Sequence, residues 1–143
     1  MAFRQHKILQ EGAPAPEIDG LPSDRPVLVV FFKITCPVCQ LTLPYLNRLH
    51  RAGTLPVIGI SQNGSDDTRE FNEEFGIEFP VLLDREEDNF PASNAYGISS
   101  VPTLFQLEPG GKIGRVTEGW SKREMSRFGV LTQEDNVPEW KAG

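Results

Sequence analysis

No segment of this chain stays apolar for long. The longest uninterrupted run, residues 27–32, has six residues, against the roughly 20 that a bilayer-spanning helix needs, so the sequence offers no membrane helix. Basic charge is scarce as well: 14 Lys and Arg stand against 20 Asp and Glu, for a net charge of −6. No Lys/Arg stripe is available to neutralise phosphates, which argues against nucleic acid as a partner. Cysteine is rarer still, with only Cys36 and Cys39. One close pair is not the set of spread pairs that makes a secreted disulfide framework. The opening stretch MAFRQHKILQEGAPAPE has no apolar segment of signal-peptide length. A complete chain is therefore expected in the cytoplasm, and one from which a leader was removed outside it, periplasmic or membrane-tethered. Internal repeats and low-complexity segments are also missing.

What is present is an ordinary globular composition, 38% hydrophobic and 24% charged, with 12 prolines and 13 glycines implying many turns. A chain of 143 residues buries about two-thirds of its unfolded surface without needing a disulfide or metal. It reads as a single domain over residues 1–143, with a Pro/Gly-rich approach over 1–26, firm order beginning at Val27, and a polar tail over 132–143 that is either loosely docked or disordered.

VLVVFF (27–32) is apolar at every position and suits a strand covered on both faces. Leu41, Tyr45, Leu46 and Leu49 then recur at helical spacing, with Gly53 as a stop. LPVIGIS (55–61) reads as a second strand and Gly64-Ser65 as a loop. Asp67 and Glu70 resemble a capping box ahead of Phe71, Phe75 and the stop at Gly76. A short strand follows at 79–84, then a helical turn at 93–98. TLFQLE and KIGRVTEG form alternating runs around Pro109-Gly110-Gly111, the pattern of an antiparallel hairpin. Ser121 and Glu124 open a last helix that includes Met125 and Phe128. The order predicts an α/β fold, a central mixed sheet flanked by helices on both faces.

In FFKITCPVCQLTLPYL (31–46) the two cysteines sit where a strand feeds a helix. Free N–H groups and the positive end of the helix dipole favour an anion there, so Cys36 is expected to ionise below the range of a free thiol and act as nucleophile. Cys39, nearly a turn further on, is placed to close a short disulfide. The first thiol attacks a substrate disulfide and the second resolves the mixed disulfide. Pro37 suits the first helical turn, where its missing N–H costs nothing. Two other uses of the pair stand beside this one. Half a zinc site would need two more ligands, and only His6 and His50 remain besides acidic groups. Two inert buried cysteines would be oddly placed at a strand-helix junction.

Four features together resemble the thioredoxin superfamily, in particular its redoxin and TlpA-like thiol-disulfide oxidoreductases: the APAPEIDG lead-in, FFKITCPVC, FPVLLD followed by AYGISSVPTLF, and the GGK turn. The likeness covers roughly residues 13–128 and implies a thioredoxin-like fold. It implies a cis Pro102 packed against the CxxC and a Val101 backbone that pairs with an extended substrate. Thr35 and Pro37 would flank the nucleophile, and Pro44 would kink the helix. Gly119-Trp120 falls where relatives carry a groove-lining glycine loop, so Trp120 is expected either as part of the substrate platform or as a core tryptophan. The partners implied are a protein disulfide or dithiol and a redox partner that donates or accepts electrons. No organic cofactor or metal is implied, and a monomer is expected.

The chain also departs from this family. Thioredoxins carry a tryptophan before the first cysteine and a buried aspartate in the preceding strand, where Thr35 and Val30 stand here. Cytochrome-maturation members place a glutamate at the position of Thr42. No proton acceptor for Cys39 is therefore identifiable, and Lys33 is either a solvated lysine or electrostatic help for Cys36. A peroxiredoxin-like antioxidant peroxidase is the main competitor, because that family shares the lead-in and FPVLLD. Against it, peroxiredoxins carry threonine at the position of Lys33 and an arginine near that of Pro102. A non-enzymatic, redox-responsive or metal-handling module is the third possibility.

Overall fold

Val27–Phe32 forms β1, and its side chains divide between two faces. Leu28, Val30 and Phe32 enter one apolar cluster, while Val27, Val29 and Phe31 enter the other. A strand with no polar side belongs in the middle of a sheet. In the computed structural model, which describes residues 8–143, β1 is the centre of five strands in the order β3-β2-β1-β4-β5. β2 (Val57–Ser61) and β3 (Val81–Leu83) run parallel to it, while β4 (Thr103–Glu108) and β5 (Lys112–Glu118) form the antiparallel hairpin. The sheet is mixed and the fold α/β, as the element order predicts.

Helix α1 (Pro37–Ala52) lies on the first face, ending at Gly53 in the left-handed conformation. With α2 (Ser65–Phe75) and Met125 of α4 (Lys122–Arg127) it closes the cluster around Val30, Cys39, Leu43 and Leu46. On the second face α3 (Pro91–Tyr96) supplies Tyr96, whose ring packs on Phe31 and Phe105. Helices thus cover both faces, but α3 alone is too short to cover the second. Ile8, Leu9, Ala13, Ala15, Ile18 and Leu21 complete that layer. Backbone bonds from Gly12 to Ile113 and from Ala15 to Gly111, and the Tyr96 hydroxyl on the Pro16 carbonyl, hold them there. Structure therefore begins well before Val27. The approach segment lacks periodicity because it packs as an extended ribbon with no repeat to show. Residues 1–7, His6 among them, lie outside the described residues.

Four elements differ in their bounds from the expectation. Helix α2 starts at Ser65 with Gly64 as its cap and no side-chain capping bond, so Asp67 sits in the first turn and caps nothing. Asp66 and Asp67 still complement the dipole at that end. The second and third strands are shorter than the apolar runs containing them, and α3 begins at Pro91, two residues early. The Ser121 cap is as expected, its hydroxyl accepting from the Glu124 N–H at 3.2 Å. The Glu124 carboxylate does not reach back, because Arg115 and Arg127 hold it.

Candidate active site

Cys36 is the N-cap of α1. Its sulfur accepts a hydrogen bond from the Cys39 N–H at 3.3 Å, a donor that a helix start leaves without an internal partner. Pro37 occupies the first helical position and is exposed, as is Thr35 in the preceding turn. That turn is set from two sides: the Ile34 N–H donates to the Asn63 side-chain oxygen at 2.9 Å, and the Gln40 amide donates to the Ile34 carbonyl at 2.9 Å. Asn63 and Gln40 were not among the expected site residues. Gln40 adjoins Cys39 in sequence, but only the parallel β1–β2 pairing brings Asn63 to the same turn.

Opposite the cysteines, the Val101–Pro102 peptide is cis. Pro102 is buried and Val101 partly so, and the Cys36 thiol donates to the Val101 carbonyl at 3.5 Å. The structure thus brings Thr35, Cys36, Pro37, Cys39, Val101 and Pro102 together at one end of the sheet's central strands, where β1 leads into α1 and β4 begins. Both cysteines are free thiols.

The two thiols differ in environment. Cys36 is partly exposed, whereas Cys39 is wholly buried among Val30, Leu43 and Leu46. Burial pushes the Cys39 thiol well above the ordinary thiol range; neighbouring Cys36 adds to the rise, and the backbone and charge of Lys33 oppose it. Lys33 is exposed, and its charge favours the ionised form of Cys39. Thr42 offers no help with the proton, since its hydroxyl donates to the Val38 carbonyl at 2.7 Å.

Trp120 is not exposed as a substrate platform in this structure. Its side chain is fully buried, packs on Tyr45 and donates its indole N–H to the Pro138 carbonyl at 2.6 Å. Residues 138–141 cover it, so it is the core tryptophan of the two alternatives. Among the described residues, the cysteine pair gathers no third metal ligand. His50 lies 11 positions beyond Cys39 on α1, about 16 Å along the axis. Among the described residues, no three His, Cys, Asp or Glu side chains cluster as ligands would. No helix among the described residues is long and apolar enough to cross a membrane.

Comparison with known proteins gives the same picture. The profile of the AhpC/TSA family matches residues 17–116. The thiol-disulfide oxidoreductase ResA of Geobacillus thermodenitrificans is 26% identical over 102 residues, 68% of this chain and 57% of the relative, so the match spans little more than half that protein's length. ResA of Bacillus subtilis is 25% identical over 139 residues, covering 86% of this chain and 75% of that protein. Among solved structures, the thioredoxin domain of a thiol-disulfide oxidoreductase from Bacteroides vulgatus superposes with a TM-score of 0.69 at 24% identity, over 78% of this chain and 91% of the other. A thioredoxin-family thiol:disulfide interchange protein from Chlorobium tepidum gives 0.66 at 22%, over 82% and 93%. The fold is thioredoxin-like.

Proposed function

The chain belongs to the AhpC/TSA family, and on that footing we propose that it is a thiol-disulfide oxidoreductase acting on protein disulfides. One observation carries this reading: an accessible thiol at a helix N-cap shares the Val101 carbonyl with the edge beside Pro102, while a second thiol lies buried behind it. The Cys36 thiolate attacks one sulfur of a substrate disulfide, forming a mixed disulfide and releasing the other substrate sulfur as thiolate. Cys39 then gives up its proton and attacks the Cys36 sulfur, releasing the second substrate thiolate and leaving a Cys36–Cys39 disulfide. Two electrons pass to the substrate, and a dithiol partner returns them. The sulfur pair stores the electrons, so no organic cofactor is required. One chain supplies both thiols and the docking edge, so the protein works as a monomer.

The test pairs dithiol-driven insulin reduction with peroxide consumption, and uses Cys39→Ser to trap mixed disulfides. Insulin reduction with slow peroxide turnover, lost in Cys36→Ser, is expected. Fast peroxide turnover without insulin reduction would overturn the proposal in favour of the peroxidase.

A further inference from the structure

The last residues of the chain lie on the edge that the exchange chemistry needs. Trp140–Lys141 forms β7, antiparallel to β6 (Trp120–Ser121), with Lys141 opposite Trp120 and Trp140 opposite Ser121. The Lys122 N–H donates to the Glu139 carbonyl at 2.9 Å, and the Lys122 ammonium lies 3.5 Å from the Glu139 carboxylate. From there the chain runs past Gly119 to Val101. Gly119 is buried with φ +75, and a Cβ on it would run into the Lys141 carbonyl and come within 3.4 Å of the Gly143 nitrogen. A Cβ on Gly143 would run into the Val101 carbonyl and lie 3.1 Å from the Pro102 nitrogen. The Cys36 thiol donates to that same Val101 carbonyl. The contact is a backbone-to-backbone approach between Val101 and Gly143, 42 positions apart, and it leaves no room for a Cβ on residue 143.

We propose that residues 139–143 are an intramolecular occupant of the substrate-docking edge. Residues 140 and 141 pair with β6 as a short extended strand, and Gly143 lies against the Val101 backbone, where an extended peptide would add. A protein disulfide in an extended segment must displace this strand to lie along Val101, whereas a small disulfide reaches Cys36 from solvent without doing so. The strand therefore sets a preference between substrates as well as a resting, partly closed state. Its hold is weak enough to be reversible: Trp140 is 61% exposed, and residues 139–143 bury none of their side chains fully. The proposal rests on the exchange function only for the identity of the competing substrate.

The test therefore separates occlusion from activity. Cys36 is alkylated in a Cys39→Ser background with iodoacetamide and with a maleimide carried on a polyethylene glycol chain. The rates are compared for the full chain, a chain ending at Val137, and Gly143→Leu. The last variant keeps the Trp120–Pro138 bond and the β6–β7 pairing, so it does not depend on the shortened chain folding well. Both variants should react about threefold or more faster with the bulky reagent, with iodoacetamide rates unchanged, because apparent access scales with the fraction of open molecules. With both cysteines present, KM for insulin should fall by the same factor at constant kcat, and kcat/KM for a small aromatic disulfide should stay constant. Bulky-reagent rates in Gly143→Leu equal to those of the full chain would overturn the proposal. Faster alkylation in the variants with no insulin reduction by any of them would instead sink the exchange function and leave the docked strand standing.

Discussion

Cys39 has no solvent contact and Cys36 has some, so the two thiols of one motif carry out different steps. The buried thiol resists ionisation, and only a thiolate can resolve the mixed disulfide. Resolution should therefore accelerate about tenfold per pH unit through pH 9, since the thiolate fraction grows in that proportion below the pKa. Acid-quenched time courses of the mixed disulfide would measure this, and a plateau below pH 8 would contradict it. The same burial affects stability. An unfolded thiol ionises near 9.0, the folded Cys39 well above it. Between those values the unfolded chain has released a proton that the folded chain retains. The stabilising contribution of neutral Cys39 is therefore complete below pH 9 and is lost as pH rises from there, by at most about 1.4 kcal/mol per unit. Urea unfolding of the reduced protein and of Cys39→Ser between pH 8 and 10 should show the difference, with only the former declining by this route.

At the scale of elements, the position of Val101 depends on α3 and the segment that follows it. Asp84, buried at the end of the third strand region, accepts from the Ala92 and Ser93 N–H groups at 2.9 and 2.8 Å and from the Ser93 hydroxyl at 2.5 Å. It caps α3 from outside the helix, while the Gln62 amide donates to Ser93 at 2.8 Å and ties the cap back to the loop after β2. Asp84→Ala would leave two helix-start donors and a hydroxyl unpaired in the interior. A loss of about 2–4 kcal/mol is expected, with Asp84→Asn losing less because it keeps an acceptor. Thermal melting would rank the three proteins, and an unchanged Tm in Asp84→Ala would contradict the role. Ser93 also lines a cleft of about 250 Å³ with Lys33, Gln62, Phe90 and Val101. Loss of this cap should therefore also raise KM for protein substrates.

For the molecule as a whole, β1 contributes to both apolar clusters, so neither face can come apart without the other. Leu43→Ala, made in the fully buried layer that holds Cys39, should cost about 3–5 kcal/mol through lost burial and the cavity left behind. Unfolding should remain one transition, with tryptophan fluorescence and far-ultraviolet circular dichroism coinciding. Separate transitions would show that the faces unfold independently. The tail is tied to the same body at several points. Arg48 pairs with Asp135 at 2.7 Å and also bonds the Val130 carbonyl, and Val137 packs on the first cluster. Among these ties, the Arg48 guanidinium and the Thr132 N–H hold the Asp135 carboxyl well below the usual carboxylate range.

Most of the architecture was legible in the sequence because it rests on local signals. A run apolar at every position reads as a central strand and leucines at helical spacing read as a helix, whereas only the family resemblance paired the CxxC with Val101-Pro102. Position in the chain was enough to place Cys36 at a helix start, since a strand ending at Phe32 leaves only a short turn before Pro37. Contacts without a local signature could be decided only by tertiary structure. Residues 8–21 cover a sheet face as an aperiodic ribbon, and Asn63 reaches the cysteine turn only through strand pairing. Trp120 was ambiguous because an indole beside a glycine can line a groove or fill a core. Residues that the sequence marked only as a polar tail fold over it and settle the question. That docking is made by backbone groups and glycines, which carry no hydrophobic pattern to read, so the sequence determined where the thiols stand and only the folded chain decided what lies across them.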